Sequence, residues 1–253
     1  MIKIVILGGG NVAFHLTAQL LENSSVEVIQ VYNRSIATIE YLQNKTSITN
    51  KLNELKEADV YIISVADNAI STISSHLNFT NKLVVHTSGS VAMNELKSTS
   101  NKGVFYPLQS FSKEQNIDFL EIPICIEAET SSDLKLLETL AKSISSNIFF
   151  INSEQRKSLH VAAVFVNNFV NHLYHIGHEI CVNNDIPFKI LQPLIKETAN
   201  KITSLTPLDA QTGPAKRNDT KTIKKHVTML PLNQQEIYTL LTKSIAKTYG
   251  EKL

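Results

Sequence analysis

Two groups of residues in this sequence have types and spacing that suit chemistry, and the first is a run of three glycines near the start. Residues 8–13, GGGNVA, fit the pattern G-x-G-x-x-A and stand between a strand-like apolar run and a helix-like segment. In that context Gly8 permits a tight turn, Gly10 lets the backbone approach a pyrophosphate, and Ala13 lets the helix pack close to the sheet. Free N–H groups at the helix start would bind the phosphates; the alternative is a glycine turn without a ligand. The residues predicted to hold a dinucleotide here are Gly8, Gly10, Asn11, Val12 and Ala13.

The residues after the second predicted strand favour NADP(H) over NAD(H). An NAD-selective site places Asp or Glu there, where the carboxylate accepts hydrogen bonds from the ribose hydroxyls. This chain has Asn33, Arg34 and Ser35 instead. A carboxylate would repel a 2′-phosphate, whereas a guanidinium pairs with it through charge-assisted hydrogen bonds. We therefore expect Arg34 to bind the 2′-phosphate of NADP(H); a solvated loop charge is the alternative.

Small residues follow two further predicted strands. Ser64, Val65 and Ala66 end one strand, and Thr87 and Ser88 follow the next. Ligands of open α/β sheets bind at the carboxyl ends of the strands, so these five residues are expected to contact the cofactor. For Thr87 and Ser88, a structural turn without a ligand is an equal alternative.

The second group lies on a long helical segment in the C-terminal half. Residues 158–178 contain no Asp, Glu, Lys or Arg, which suits the wall of a cleft or a subunit contact better than a solvent face. His160 is the preferred proton donor or acceptor, because an imidazole with an ordinary pKa of about 6.5 exchanges protons near neutrality. A structural helical histidine is the alternative. At about 100° per residue, the side chains that share a stripe with His160 are Asn167, Asn171, His175 and His178.

The spacing His172-x-x-His175-x-x-His178 raises the possibility of a metal site. These positions spread over about 120° of a helix, and no nearby Asp or Cys completes a tetrahedral set. We therefore expect no metal.

Composition sets the broad class of protein. The net charge of the 253 residues is +1, which argues against nucleic acid or an anionic membrane as partner. Cys125 and Cys181 stand far apart without a CxxC partner, so we expect no disulfide framework and a reducing cytoplasm. The first apolar run is too short for a signal peptide, and no apolar stretch reaches the ~20 residues that span a bilayer. The expected partner is a small-molecule substrate.

The order of predicted elements indicates an α/β fold: a doubly wound, mostly parallel Rossmann sheet followed by an all-α domain. We place the boundary near 152, with a nucleotide-binding domain at 1–152 and a helical substrate and dimerisation domain at 153–253. The predicted strands are Ile2–Leu7, Val26–Tyr32, Val60–Val65, Leu83–His86, Gly103–Tyr106, Ile122–Glu127 and Ile148–Ile151. The predicted helices are Asn11–Asn23, Ile36–Asn44, Ser131–Ser143, Glu154–Val182, Pro187–Thr203, Thr220–Met229 and Gln234–Tyr249.

With these residues in hand, the chain resembles a family of NADP oxidoreductases that join a Rossmann-like domain to a helical C-terminal domain. The resemblance covers nearly the whole chain and rests on the glycine turn and three segments: FYPLQSFS (105–112), HVAAVFVNNF (160–169) and TGPAKRND (212–219). It implies a cleft between the domains bordered by residues 107–112 and 213–219. In the second of these segments Lys216 and Arg217 bring positive charge, and Arg217 would pair with an anionic group of the substrate; a solvated basic pair in a helix-entry loop is an equal alternative. It also implies a homodimer formed through the helical domain. The implied substrate-binding residues are Pro107, Gln109, Gly213 and Arg217.

More distantly the chain is similar to pyrroline-5-carboxylate reductase and to the β-hydroxyacid dehydrogenases, whose helical domain is of the 6-phosphogluconate dehydrogenase C-terminal type. The hydroxyacid enzymes use a Lys-x-x-Asn-Asn segment with lysine as acid/base. Asn167 and Asn168 match that segment and are carried over as candidate catalytic residues, but Val164 stands at the lysine position. His160 is the nearest substitute.

The leading hypothesis is an NADP(H)-dependent oxidoreductase that transfers a hydride to or from a small carbonyl or imine compound in the cleft between the domains. Two alternatives stay open. One is a sensor or scaffold that binds NADP(H) without turnover, and the other is a metal-assisted enzyme that uses the histidine-rich helix.

Overall fold

The computed structural model describes residues 1–250, and its first part is an eight-stranded sheet. The order across the sheet is β3-β2-β1-β4-β5-β6-β7-β8. All neighbouring strands run parallel except β6 and β7, which are antiparallel. This confirms the predicted α/β sheet. The strands are β1 Ile2–Leu7, β2 Val26–Tyr32, β3 Ser47–Thr49, β4 Val60–Ile63, β5 Leu83–His86, β6 Asn101–Pro107, β7 Ile124–Ala128 and β8 Ile148–Phe150.

The four central strands end at the same level. Leu7 of β1 pairs with Tyr32 of β2 on one side and with Ile63 of β4 on the other, and Ile63 pairs in turn with His86 of β5. The strand order reverses at β1, and in open α/β sheets ligands bind at such a switch point. The register therefore brings the turns after these four strands together.

The reversal at β7 gives the segment after β6 an unusual route. Pro107, the last residue of β6, pairs with Ile124, the first residue of β7. Residues 108–123 therefore leave the sheet at the carboxyl ends of the parallel strands and return to it at the same end.

Helices cover both faces of the sheet, as the predicted pattern requires. Helix α1 (Asn11–Leu21) buries Leu16 and Leu20 in a core shared with β1, and helix α3 (Ser131–Lys142) contributes Leu137 to the same core. Helix α2 (Asp67–Ser74) contributes Ile70 to the second core. The predicted helix at 36–44 is wrong, because this stretch forms two short 3₁₀ turns, Ile36–Thr38 and Glu40–Leu42.

Residues 153–250 form helices and connecting loops and contain no strand, which confirms the predicted change from strands to helices. A capping box between Asn152 and Gln155 opens the first of these helices. The single long helix predicted over 154–182 contains a widened π-helical turn, Val164–Phe169. The α-helices are α4 Ser153–Ala163, α5 Val170–Val182, α6 Gln192–Lys201, α7 Pro207–Ala210, α8 Thr220–Thr228 and α9 Leu232–Gly250.

Packing divides the chain into two compact units, and the second begins at Asn168. The sequence-based boundary near 152 falls at the start of α4, one helix earlier. Helix α4 packs with the sheet: Arg156 is buried, and Leu159 lies against the cluster around Val104 and Tyr106. The assignment of separate roles to 1–152 and 153–253 stays a prediction.

None of the helices in residues 1–250 is both long enough and apolar enough to cross a bilayer.

Candidate active site

The glycine turn after β1 has a backbone that other residues cannot adopt. Gly8 has φ of +139°, and a Cβ built on it would lie 1.9 Å from the carbonyl oxygen of Ser64. Its N–H donates to the carbonyl oxygen of Tyr32 (2.8 Å), which fixes the turn at the switch point. A Cβ on Gly10, in contrast, would meet no atom within 4 Å. The face of the turn at Gly10 is therefore open to a ligand.

The start of α1 is electrostatically suited to an anion. No side chain caps this helix, and its first turn has no acidic residue. The amide of Asn11 points elsewhere, because its Nδ2 donates to the carbonyl oxygen of Phe111 (2.8 Å). The first N–H groups of the helix therefore keep their donors and their partial positive charge. This arrangement fits the pyrophosphate of a dinucleotide, as the predicted roles of Val12 and its neighbours require.

Two cavities form one groove along the ends of the central strands. The first has a volume of about 530 Å³, and the second, of about 680 Å³, shares Asn33, Val65 and Ala66 with it. The lining residues of the groove extend from the end of β2, across the glycine turn, to the end of β6. Residues lining the first cavity are Gly9, Gly10, Asn11, Val12, Asn33, Ser64, Val65, Ala66, Asp67, Thr87, Ser88, Gly89, Tyr106, Pro107, Gln109 and His160. The second is lined by Tyr32, Asn33, Arg34, Leu52, Val65, Ala66, Asn68, Ala69, Thr72 and Ile73.

The second cavity fits the adenosine half of a phosphorylated dinucleotide. Arg34 is exposed at its rim, and of the described residues that line this cavity none carries a carboxylate. The Asn33 side chain donates to the carbonyl oxygen of Ser35 (2.9 Å), which shapes the loop after β2. A free guanidinium without a competing carboxylate suits a 2′-phosphate.

The turn after β5 forms the wall of the first cavity. Thr87 donates from its hydroxyl to that of Ser64 (3.1 Å), which links the turns after β4 and β5. The Ser88 hydroxyl accepts hydrogen bonds from the N–H groups of Ser90 and Val91, both at 3.1 Å. Ser88 therefore also organises its own turn, which is the structural alternative raised from the sequence.

A tyrosine and a histidine meet at the same cavity. The hydroxyl of Tyr106, at the end of β6, lies 3.3 Å from Nδ1 of His160 on α4. Burial is the main cause that raises the pKa of Tyr106 to about 12, with the nearby Cys125 thiol as a second cause. The phenol therefore holds its proton at neutral pH. His160 was predicted from the sequence and Tyr106 was not. The usable signal for Tyr106 was its place as the last residue of the predicted strand Gly103–Tyr106, at the sheet edge where ligands bind.

A buried arginine ties α4 to the turn after β5. Arg156 is fully buried, and its Nη1 lies 2.5 Å from a carboxylate oxygen of Glu127. Its Nε donates to the carbonyl oxygen of Ser88 (3.2 Å) and its Nη2 to that of Val91 (2.6 Å). His160 lies one helical turn further along α4. Arg156 thus fixes the helix that carries His160 to the turn that lines the cavity, a role that the sequence analysis missed.

His86 stabilises the same turn as a neutral side chain. It is fully buried at the end of β5, and its Nδ1 accepts a hydrogen bond from the N–H of Ser88 (3.1 Å). Burial lowers its pKa to about 4, and the positive charge of Arg156 lowers it as well. The imidazole is therefore uncharged at neutral pH.

Of the other predicted residues, Asn167 is the last residue of the first unit, and Asn168, Gly213 and Arg217 belong to the second. Asn167 and Asn168 are exposed within the π-helical turn. Gly213 adopts a φ of +108° in the loop before α8, and Arg217 in the same loop is exposed. Their catalytic and substrate-binding roles stay predictions. Among the described residues, no cluster of three or more His, Cys, Asp or Glu side chains could hold a metal ion.

Comparison with known proteins agrees with this geometry. Residues 3–89 match the family described as "NADP oxidoreductase coenzyme F420-dependent", and residues 122–245 match "Domain of unknown function (DUF2520)". The chain is similar to a putative NADP oxidoreductase from Bacteroides fragilis whose crystal structure is known, with 39% sequence identity and a TM-score of 0.89. The match covers 97% of this chain and 98% of the Bacteroides chain. No curated protein matches the sequence.

Two more remote structures share the fold. An imine reductase from Myxococcus stipitatus in complex with NADP⁺ is 13% identical over 98% of this chain and 93% of its own, with a TM-score of 0.66. A 1-pyrroline-5-carboxylate reductase from Streptococcus pyogenes is 15% identical over 99% and 97%, with a TM-score of 0.68. The full-length similarity to the Bacteroides protein, with the two matched domains, places the chain in the family of NADP oxidoreductases that carry a DUF2520 domain at the C-terminus.

Proposed function

We propose that this protein binds NADP(H) in the groove and transfers a hydride between the nicotinamide ring and a small carbonyl or imine compound. The observation that carries the proposal is the 3.3 Å approach of Tyr106 and His160 at the wall of the cavity that also contains the glycine turn. A proton donor and a dinucleotide site in one cavity are the two requirements of this chemistry.

The residues of the groove fit the cofactor in three places. The N–H groups after Gly10 would hold the pyrophosphate, as the open turn and the uncapped helix suggest. Arg34 and its neighbours would hold the phosphorylated ribose. Thr87 and Ser64 lie where the nicotinamide half would extend toward Tyr106. When bound, the cofactor supplies or accepts the hydride.

The protein's part in the reaction is to supply and recover a proton. An imine accepts hydride as its N-protonated iminium ion and becomes a neutral amine without a further proton. A carbonyl compound instead gains negative charge on its oxygen, and the Tyr106 hydroxyl is the proton donor at the cavity wall. A phenol with a raised pKa gives up its proton only to a strongly basic atom, so the proton moves late and to the reduced substrate. His160 Nδ1, at hydrogen-bond distance, then returns a proton to the phenolate, and the imidazole takes up a proton from solvent.

The experiment has a binding part and a turnover part. Isothermal titration with NADPH and NADH tests the cofactor, and NADPH absorbance with a panel of small keto acids and cyclic imines tests turnover. With a reactive compound in hand, Tyr106→Phe and His160→Gln should each lower kcat by about 10²-fold or more while NADPH affinity stays within about twofold. Tyr41→Phe is the matched control, because Tyr41 is exposed and lies outside both cavities.

Two results would contradict the proposal. One is wild-type protein that takes up neither nucleotide. The other is full activity in both the Tyr106 and His160 variants. Binding of NADPH without turnover across the panel would favour the sensor or scaffold. That alternative is worth testing because Val164 stands where the hydroxyacid dehydrogenases have their acid/base lysine.

We further infer that the protein is a homodimer formed through its helical unit. Within the described part of the second unit, the buried side chains are Cys181, Ala215 and Gln234, too few for an independent core. Large apolar side chains are exposed instead, and a second copy of the chain would cover them. Those with more than half of their surface exposed include Ile190, Leu194, Ile202, Met229, Leu232 and Leu240. Light scattering after gel filtration should give the mass of two chains, and the mass of one would refute this.

A further inference from the structure

The segment after β6 crosses the first turn of α1, and side chains of that helix hold its backbone in place. The amide of Asn11 donates to the carbonyl oxygen of Phe111 (2.8 Å), and Nε2 of His15 lies 2.9 Å from the carbonyl oxygen of Ser112. Asn11 and His15 are four residues apart and share a helix face. Phe111 is buried against the His15 ring, with 5.6 Å between the ring centroids. The crossing is therefore fixed by both polar and apolar contacts.

The next residue, Lys113, brings a full positive charge to the glycine turn. Its Nζ donates to the carbonyl oxygen of Gly9 (3.1 Å) and lies 5.5 Å from the centroid of the Phe14 ring. Within residues 1–250, no carboxylate forms an ion pair with this ammonium. Gly9 itself lines the first cavity of the groove. An unneutralised cation thus stands at the edge of the candidate pyrophosphate site.

We propose that Lys113 is a phosphate-binding residue whose ammonium pairs with the diphosphate of the bound dinucleotide; this rests on the proposed binding of NADP(H). The backbone of the glycine turn offers only partial charge, about half an elementary charge at a helix start. From Gly8 through helix α1 the sequence contains no Lys or Arg, so a full charge has to come from elsewhere in the chain. The segment after β6, which Asn11 and His15 bind, supplies this charge through Lys113.

The geometry allows the pairing without rearrangement of the backbone. The lysine side chain has a flexible four-carbon stem, so its ammonium can leave the Gly9 carbonyl for a phosphate oxygen by a change of rotamer. The carbonyls of Phe111 and Ser112 stay bound to α1 meanwhile. Lys113 reaches the glycine turn from a segment about a hundred residues away in the sequence, as its bond to Gly9 shows.

Two nucleotide fragments separate this role from a structural one. Adenosine 2′-monophosphate carries the 2′-phosphate but no diphosphate, and 2′-phospho-ADP-ribose carries both. Isothermal titration would compare wild type with Lys113→Gln, Lys113→Arg and the control Lys135→Gln, a change at an exposed lysine of α3. We expect Lys113→Gln to weaken 2′-phospho-ADP-ribose about tenfold and adenosine 2′-monophosphate less than about twofold, with partial recovery in Lys113→Arg. The salt dependence of 2′-phospho-ADP-ribose binding should also become shallower in Lys113→Gln.

Equal weakening of both fragments, or no weakening of either, would overturn the assignment to Lys113. The proposed function fails separately: if wild type binds 2′-phospho-ADP-ribose and Lys113→Gln binds it weakly, Lys113 keeps its role even when no substrate turns over. Wild type that binds neither fragment would overturn both proposals.

Discussion

Gly89 lies directly against His160: a Cβ atom built on the glycine would come within 2.6 Å of Nδ1 of the imidazole and 2.8 Å of Cζ of Tyr106. The two rings fill the space that a side chain at position 89 would need. The approach of the tyrosine to the histidine therefore depends on the absence of a side chain at position 89, which was not singled out in the sequence. Gly89 also lines the first cavity.

The first prediction concerns this glycine. Gly89→Ala should push His160 and Tyr106 apart, lower kcat with any substrate found by about tenfold or more, and lower the melting temperature by several degrees. A shift of the His160 ring resonances in NMR spectra would report the displacement without any substrate. Gly177→Ala is the control, because a Cβ there would meet only Phe188, at 3.9 Å. Unchanged His160 resonances in Gly89→Ala would contradict the prediction.

Loss of the buried arginine should destabilise the first unit strongly. Arg156→Met removes the ion-pair partner of the Glu127 carboxylate, which keeps only its hydrogen bonds from Ser153, and leaves two carbonyl oxygens without the guanidinium. We therefore expect the free energy of unfolding to fall by about 3–5 kcal/mol. Urea denaturation measures this. Lys157→Met removes the neighbouring exposed ion pair with Glu154 (3.1 Å) and should cost less than about 1 kcal/mol. Equal effects of the two substitutions would count against the role given to Arg156.

His86 should make the protein lose stability in mild acid. The folded state holds its pKa near 4, below the ordinary value of 6.5, so the unfolded state takes up a proton first as pH falls. The contribution of His86 to the free energy of unfolding is complete above about pH 6.5. It falls by roughly 3 kcal/mol as the pH is lowered to about 4. Urea denaturation at several pH values checks this. His86→Asn should flatten the dependence over that range, and His76→Gln, at an exposed histidine, should leave it unchanged.

The exposed arginine after β2 should decide between the two nicotinamide dinucleotides. Arg34→Ala should weaken NADPH by about tenfold or more and NADH by less than about twofold, because only NADPH carries the 2′-phosphate. Isothermal titration measures both, with Lys142→Ala as a control at an exposed lysine on α3. Wild type that binds both nucleotides equally would remove the proposed role of Arg34.

Local signals predicted most of the sheet. Strands β1, β2 and β5 have the predicted bounds, because each is a short apolar run flanked by turn residues. Strand β3 was missed, since three partly polar residues become a strand only by pairing with β2. The segment at 36–44 has helical spacing but forms 3₁₀ turns, where tertiary packing overrides the local pattern.

The candidate site divides in the same way. The glycine turn could be predicted because its motif, strand and helix are adjacent in sequence. The pairing of Tyr106 with His160 spans 54 residues, and the bond from Arg156 to Ser88 spans 68. Such contacts depend on how distant segments meet in the fold, which periodicity and composition do not encode.

The return of the chain to the same end of the sheet after β6 makes the exposed part of residues 108–123 tolerant of change. Because Pro107 and Ile124 are direct partners across two antiparallel strands, the intervening stretch bridges no fixed distance across the sheet. Phe111, Phe119 and Ile122 are buried in the core, so these anchors have to stay. The exposed residues 114–116 between the anchors can change in length, or be exchanged by loop grafting, while the strands keep their register.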